Sequence, residues 1–224
     1  MKILQWLTEL LYPEKCVLCG KLLEKEELDL CRQCRIEAPV CNDNRKKYSF
    51  VDSWTAVWYY QDPVRRSVLR YKFYGRRNYA AAYARMLGVK LLQQERTDVD
   101  LITWVPISKQ RLKKRGYDQC QLLAEHLSRE LEIPAVPLLK KIYNNPPQSG
   151  VVGYAQRRAN VLGVYTAMDP QLFAGKRILL LDDILTTGAT AGECARVLLT
   201  AGAEEVHLGV IAVADHSSTN KTGR

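Results

Sequence analysis

Long apolar runs are absent from this 224-residue sequence. No stretch approaches the roughly 18 consecutive apolar residues that are typical of a membrane-spanning helix, so none is predicted. The first residues include a lysine and several apolar side chains, but Glu9 interrupts them and no small-residue cleavage site follows, so a secretory signal is not predicted either. Together these absences predict a cytoplasmic protein, in which cysteines stay reduced.

Several catalytic signatures are also missing. The sequence has only three histidines, and their spacing fits neither a metal site nor an evident base, so we interpret them as structural. The nucleotide-binding pattern GxxxxGK[ST] is absent, because Gly175 and Lys176 are followed by Arg177. The HxE and PCxxC elements of zinc deaminases are absent as well. These two enzyme classes are therefore excluded.

Cysteine, in contrast, is concentrated near the start of the chain. Cys16 and Cys19 form one CxxC pair, and Cys31 and Cys34 form a second pair after eleven residues. This spacing is typical of a four-thiolate zinc site, which is structural because no position is left open for water. Unmetallated structural cysteines, a redox pair and an iron–sulfur cluster remain as alternatives. The other three cysteines lack such partners and are predicted to be packing residues: Cys41, Cys120 and Cys194.

Charge and periodicity divide the chain in two. Residues 48–165 hold 19 of the 33 Lys and Arg residues but only 9 of the 24 Asp and Glu residues. We predict a metal module with an N-terminal amphipathic helix over residues 1–47 and a larger domain over 48–224. Within the latter, residues 48–100 are mainly helical, whereas 101–215 alternate between strands and helices, as in a parallel α/β sheet. The predicted strands are 53–61, 101–107, 177–183 and 207–214, and the predicted helices are 63–74, 79–94, 119–131 and 191–203.

The segment RILLLDDILTTGAT carries the most specific chemical signal. A buried strand ends in Asp182 and Asp183, and a Thr/Gly loop then leads into a helix. Hydroxyls, backbone N–H groups and the helix N-terminus together form an anion site. Adjacent acids suit a ligand with hydroxyls next to its phosphate, such as a ribose 5-phosphate, or a divalent cation. An ordinary turn with capping threonines is the alternative. The predicted phosphate loop comprises Thr186, Thr187, Gly188, Ala189 and Thr190.

The same segment resembles the signature of type I phosphoribosyltransferases. The resemblance implies a five-stranded parallel sheet flanked by helices, with a variable hood that would correspond to residues 48–100. It implies that Asp182 and Asp183 bind the ribose 2′- and 3′-hydroxyls of phosphoribosyl pyrophosphate and that the loop holds the 5′-phosphate. Mg²⁺ would bridge the ribose and the pyrophosphate.

A narrower resemblance covers nearly the whole chain. The cysteine pairs, the stretch RGYDQ at 115–119 and the stretch QRRAN at 156–160 are similar to the ComF family. That family implies binding of phosphoribosyl pyrophosphate and a role in natural competence, the uptake of single-stranded DNA for transformation. Other DNA-uptake proteins would then be partners. An active transferase that acts on a nucleobase or an amine is the alternative, as is a regulator without turnover, and no catalytic residue is identified.

Basic residues outside the signature provide further candidates. In the resembled fold the turn after residue 106 and the long loop 144–160 contact the pyrophosphate, although a charged run is equally typical of a solvated helix edge. The pyrophosphate candidates are Ser108, Lys109, Arg111, Arg115, Arg157 and Arg158. A second segment mixes cations with aromatic rings, as single-strand binding sites do, unless the rings face the core. Its nucleic-acid candidates are Arg70, Tyr71, Lys72, Phe73, Tyr74, Arg76 and Arg77.

Overall fold

The computed structural model describes residues 13–42, 46–143, 156 and 159–214. The expected N-terminal helix and the candidates Arg157 and Arg158 lie outside these residues. The helices are α1 (Arg32–Glu37), α2 (Val64–Phe73), α3 (Tyr79–Gln93), α4 (Lys109–Arg115), α5 (Gln119–Leu131) and α6 (Ala189–Thr200). The strands are β1 (Ser53–Tyr59), β2 (Leu101–Trp104), β3 (Leu139–Lys141), β4 (Tyr165–Ala167), β5 (Arg177–Leu185) and β6 (Glu205–Val213).

A four-stranded parallel sheet organises the chain. Its strand order is β1-β6-β5-β2, so β5 and β6 are central. Ile178, Leu179, Leu180 and Leu181 of β5 are all fully buried, because helices cover both faces of the sheet. This burial on two sides explains why β5 is a continuous apolar run, and the predicted parallel sheet flanked by helices is confirmed.

The number of strands differs from the expectation. Within the described residues the sheet has four strands, not five, and a single parallel bridge from Ile102 to Ala135 occupies the edge beyond β2. The opposite edge is β1, so the segment 48–100 adds a strand to the central sheet besides its two helices. A two-stranded antiparallel sheet of β3 and β4 was not predicted, because each strand has only three residues.

Local capping explains the helix boundaries. Helix α5 covers the predicted residues, since the Asp118 carboxylate accepts the N–H groups of Cys120 and Gln121. Helix α4 forms where the sequence predicted a turn. The Ser108 hydroxyl accepts the N–H of Arg111 at its start, and Gly116 ends it with a φ of +80°.

The cysteine-rich module packs into the main core. Cys16, Val17 and Leu18 are buried in the same apolar cluster as side chains of α2, α3 and α5. Ser67 donates a hydrogen bond to the Val17 carbonyl, and Arg70 donates to the Leu18 carbonyl at 2.6 Å. The module is therefore held to α2 by polar contacts as well as by burial. Among the residues that the structure describes, no helix is long and apolar enough to span a membrane.

Candidate functional site

The four cysteines of the two CxxC pairs converge on one point. The Sγ atoms of Cys16, Cys19, Cys31 and Cys34 all lie within 4.8 Å of one another. A tetrahedral zinc ion with bonds of about 2.3 Å would separate its sulfur ligands by about 3.8 Å, and the Cys19 and Cys31 sulfurs are 3.6 Å apart. This donor set fits a structural zinc ion.

Backbone turns prepare this site for a metal. Gly20 has a φ of +83°, and its N–H donates to the Cys16 carbonyl at 2.8 Å, which forms the tight turn of the first CxxC pair. Burial raises the pKa of the Cys16 thiol, but hydrogen bonds from the backbone of Cys19 and Cys31 lower it more, to about 7. Cys16 is therefore more readily ionised than a free thiol, whereas burial raises the pKa values of Cys19 and Cys34.

The remaining cysteines behave as packing residues. Cys41, Cys120 and Cys194 are all buried and lie outside the four-sulfur cluster. Burial, and then nearby carboxylates, raise the pKa values of Cys120 and Cys194 well above that of a free thiol. Both thiols are therefore harder to ionise than a free thiol, which is consistent with packing residues.

A cleft of about 920 Å³ opens at the carboxyl end of β5. Parallel strands present their carboxyl ends to ligands at this edge of a sheet. Asp182 and Asp183 lie on its floor, and the whole predicted phosphate loop forms one of its walls. The structure thus brings together the acids and the loop that the sequence predicted.

The two acids have different surroundings. Asp183 is buried, and both of its carboxylate oxygens contact the Lys72 ammonium, at 3.0 Å and 2.9 Å. The Gln119 side-chain amide donates a third hydrogen bond to Asp183 at 2.7 Å. Two of these three contacts come from a charged partner, so Asp183 already has its counter-ion within the protein.

Among the described residues, the hydrogen-bond donors to Asp182 are neutral, although the charge of Lys72 partly offsets the rise in its pKa. Its carboxylate accepts the backbone N–H of Asp183 at 2.8 Å and the Cys120 thiol at 3.6 Å. Burial and then the neighbouring charge of Asp183 raise the pKa of Asp182 to about 7. A carboxyl group in this state gains from a ligand that donates hydroxyl hydrogen bonds or brings positive charge.

The phosphate loop connects β5 to α6. Gly188 adopts a φ of +78°, and a Cβ at this position would lie 2.2 Å from Cδ1 of Tyr48. The Thr187 hydroxyl accepts the N–H of Ala189 at 3.4 Å. The loop lines the cleft and requires glycine at this position, because of both the positive φ and the contact with Tyr48.

Helix α4 supplies cations to the cleft. Arg111, Lys114 and Arg115 line it, whereas Lys109 does not. The Ser108 hydroxyl is buried, because it caps the helix. The pyrophosphate candidates at the cleft among the described residues are thus Arg111 and Arg115.

The nucleic-acid candidates separate into two groups. Tyr71 is fully buried, Arg70 is bound to the cysteine-rich module and Lys72 is bound to Asp183, so none of the three is available to a strand of DNA. Phe73 and Tyr74 are 63% and 74% exposed. The exposed group comprises Phe73, Tyr74, Arg76 and Arg77.

The sequence did not single out several residues at or near the cleft, and three of them make notable contacts. Gln119 contacts Asp183, Tyr48 packs against Gly188, and Lys141 lines the cleft from β3. Burial and then the charge of Arg111 lower the pKa of Lys141 to about 8. Gln119 belongs to the RGYDQ stretch at 115–119, whereas Tyr48 and Lys141 lie in segments without a recognisable sequence pattern.

The donor atoms near the acids limit how Mg²⁺ can bind. Ligand atoms of Cys120, Asp182 and Asp183 lie within 4.8 Å of one another. Since Lys72 contacts both oxygens of Asp183, the carboxylate that remains for a cation is Asp182. The residues therefore fit Mg²⁺ that is held mainly by a ligand's own oxygens and supported by Asp182.

Sequence comparisons give the class of protein first. Residues 118–222 match the phosphoribosyl transferase domain family. The chain therefore contains a phosphoribosyltransferase domain. The structure is also similar over 63% of the chain to the glutamine phosphoribosylpyrophosphate amidotransferase from B. subtilis, with a TM-score of 0.43, 23% identity and 30% of that chain covered.

Full-length relatives then give the family. The chain is 28% identical over 203 residues to competence protein F of Haemophilus influenzae, covering 86% of this chain and 87% of that protein. It is 28% identical over 189 residues to competence protein ComFC of Bacillus subtilis, covering 84% of this chain and 72% of that protein. It is 26% identical over 201 residues to DNA utilization protein YhgH of Escherichia coli K12, covering 86% of this chain and 87% of that protein. The resemblance to the ComF family is thus confirmed.

Proposed function

We propose that this protein binds phosphoribosyl pyrophosphate with Mg²⁺ in the cleft at the end of β5 and acts in natural competence, in the handling of internalised single-stranded DNA. The main observation that supports this ligand is that the acid pair and the glycine-centred loop line the same cleft. The names of the relatives, competence protein and DNA utilization protein, support the biological role.

Each part of the ligand has a partner of suitable chemistry. The backbone N–H groups and hydroxyls of residues 186–190 suit the 5′-phosphate, and the Asp182 carboxylate suits a ribose hydroxyl. Arg111 and Arg115 suit the pyrophosphate, because guanidinium groups bind phosphate oxygens in pairs. The zinc ion has a separate and structural role in the N-terminal module.

Replacement of Asp182 tests the ligand site. We expect Asp182→Asn to weaken phosphoribosyl pyrophosphate binding about 10- to 100-fold, since a hydrogen bond to a charged group contributes about 1.5–3 kcal/mol. The double variant Asp182→Asn/Asp183→Asn is expected to abolish binding. Isothermal titration calorimetry in the presence of Mg²⁺ measures both effects. The control is Asp169→Asn, an exposed acid outside the cleft, and equal affinity in all four proteins would refute the site.

The exposed aromatic residues of the α2–α3 segment are the proposed contact for DNA. Phe73 also lines the cleft, and the Arg115 guanidinium lies 5.2 Å from its ring centre. Bases stack on exposed rings without regard to sequence, while the nearby Arg76 and Arg77 suit the phosphates. On this proposal the DNA contact lies beside the cleft, because Phe73 belongs to both.

Loss of these rings is expected to weaken DNA binding. Phe73→Ala/Tyr74→Ala should lower the affinity for a fluorescein-labelled oligothymidine at least about tenfold, because each stacked base contributes about 1–3 kcal/mol. The affinity of the unchanged protein should also fall steeply as salt increases. Fluorescence anisotropy measures both, with Leu172→Ala as the exposed apolar control. A salt-independent affinity, or equal binding by the variant, would contradict this contact.

Turnover is the second candidate function, and the cations that line the cleft beside the acid pair favour it. Displacement of pyrophosphate at the anomeric carbon would then be assisted by Arg111 and Arg115, which neutralise the leaving group. Pyrophosphate release with any nucleobase or amine would identify an enzyme. Binding without release for all acceptors would favour a ligand-controlled DNA-binding protein.

A further inference from the structure

The contact between Lys72 and Asp183 is built into the protein interior. The side chain of Lys72 is 20% exposed and that of Asp183 is 6% exposed. The ammonium lies about equally far from the two carboxylate oxygens, at 2.9 and 3.0 Å. Burial lowers the pKa of Lys72, but the charge and hydrogen bonding of Asp183, together with the charge of Asp182, raise it more, which favours the charged lysine. The pair is therefore a buried ion pair and not a surface contact.

Neighbouring contacts hold Lys72 in position. Tyr71 donates its hydroxyl hydrogen to the Gln119 carbonyl at 2.6 Å, and Tyr117 donates to the Tyr71 carbonyl. Earlier in the same helix, Ser67 and Arg70 donate hydrogen bonds to carbonyls of the cysteine-rich module. The backbone around Lys72 is thus anchored on two sides, which keeps its ammonium at the acid pair.

The acid pair with Cys120 has the spacing of a cation site. Ligand atoms of Cys120, Asp182 and Asp183 lie within 4.8 Å of one another, which is close enough to surround one divalent ion. Lys72 supplies a positive charge at Asp183 instead. In the described part of the chain, the hydrogen-bond donors to Asp182 are instead the Asp183 N–H and the Cys120 thiol, which are both neutral.

We propose that Lys72 is the built-in cation of the acid pair: it neutralises Asp183, keeps a divalent ion from that carboxylate and leaves Asp182 as the one acid that receives the hydroxyls of the ligand. Lys72 is accordingly a positioning residue of the ligand site and not part of a DNA-binding surface. This inference rests on the proposed binding of phosphoribosyl pyrophosphate, whose negative charge would otherwise meet two uncompensated carboxylates.

Removal of the ammonium should have two consequences. In Lys72→Met the buried Asp183 carboxylate loses its counter-ion, and we expect the affinity for phosphoribosyl pyrophosphate to fall about tenfold or more, because an uncompensated buried charge is costly and repels the anion. The vacated position should also admit a divalent ion. In the absence of ligand, Lys72→Met is therefore expected to bind one more Mn²⁺ ion than the unchanged protein.

The experiment measures both consequences in the full chain. Electron paramagnetic resonance of a Mn²⁺ titration detects the new site, and calorimetry with phosphoribosyl pyrophosphate and Mg²⁺ measures affinity. The double variant Lys72→Met/Asp183→Asn should lose the Mn²⁺ site again and recover part of the affinity, since no charge is left unpaired. Arg66→Met is the matched control, because it removes an exposed cation from the same helix.

The outcomes separate this inference from the proposed function. Binding of phosphoribosyl pyrophosphate by Lys72→Met as tightly as by the unchanged protein would overturn the inference alone. A failure of Lys72→Met to gain Mn²⁺ would overturn the role of Lys72 as the cation of the pair. An unchanged protein that does not bind phosphoribosyl pyrophosphate would overturn the proposed function, while the Mn²⁺ titration would still test the cation. If Lys72→Met does not fold, the double variant, with both charges removed, tests whether the ion pair is dispensable for binding.

Discussion

Replacing Cys16 with Ser is expected to release the zinc ion and to unfold the N-terminal module. Cys16 is fully buried and one of four converging ligands, and structural zinc sites contribute roughly 10–16 kcal/mol of apparent binding free energy. We expect the metal content to fall from one zinc per chain to below about 0.2, because three thiolates hold zinc much less tightly than four. Elemental mass spectrometry measures the metal, and circular dichroism during heating measures the stability.

The effect should extend beyond the module. Val17 and Leu18 pack into the core next to α2, and Arg70 donates a hydrogen bond to the Leu18 carbonyl. Unfolding of the cysteine-rich module therefore removes support from the helix that carries Lys72. Cys41→Ser is the matched control, since Cys41 is equally buried but lies outside the four-sulfur cluster. A Cys16→Ser protein that keeps its zinc, or a folded wild-type chain without metal, would contradict the assignment.

Gly188→Ala is expected to have the second largest effect. Alanine at a φ of +78° costs about 1–2 kcal/mol in backbone strain. Its Cβ would also lie 2.2 Å from the ring of Tyr48, which is buried and cannot move freely. We expect a loss of about 3 kcal/mol or more in the free energy of unfolding, since overpacking adds about 1–3 kcal/mol to the strain. Binding of phosphoribosyl pyrophosphate should be lost because the loop backbone is displaced.

Gly175→Ala separates the two contributions. Gly175 has a φ of +68°, but nothing lies within 4 Å of the position of its Cβ. This variant should therefore lose only the strain energy and keep its ligand affinity. Chemical denaturation and calorimetry on both variants measure the difference. Equal losses in the two proteins would show that the contact between Tyr48 and Gly188 is unimportant.

Several elements were predictable because their signals are local. The apolar run of β5, the period of α5 with its Asp118 cap, and the spacing of the cysteine pairs each lie within a few residues of sequence. Two elements were not predicted, because their sequences lack such a local pattern. Helix α4 was missed because none of its residues is buried, so it has no apolar face, and the antiparallel pair of β3 and β4 was missed because three residues show no periodicity.

The aromatic-basic segment shows where local reasoning fails. Adjacent residues of α2 point in different directions, so Tyr71 enters the core, Lys72 reaches Asp183 and Phe73 faces the cleft. A composition argument treats these neighbours alike, whereas each helical residue turns about 100° from the one before it. Which of them is accessible depends on the surfaces that α2 meets.

The chain alone therefore specifies the kinds of chemistry that are present: four thiolates at zinc spacing, a strand that ends in two acids, and a glycine-centred anion loop. Each is encoded in consecutive or nearly consecutive residues. Only the tertiary structure decides that the two acids differ. Lys72 and Asp183 are 111 positions apart in the sequence, and Tyr48 and Gly188 are also in contact although they lie far apart along the chain. Such pairs depend on how buried surfaces come together, and no local pattern in the sequence records them.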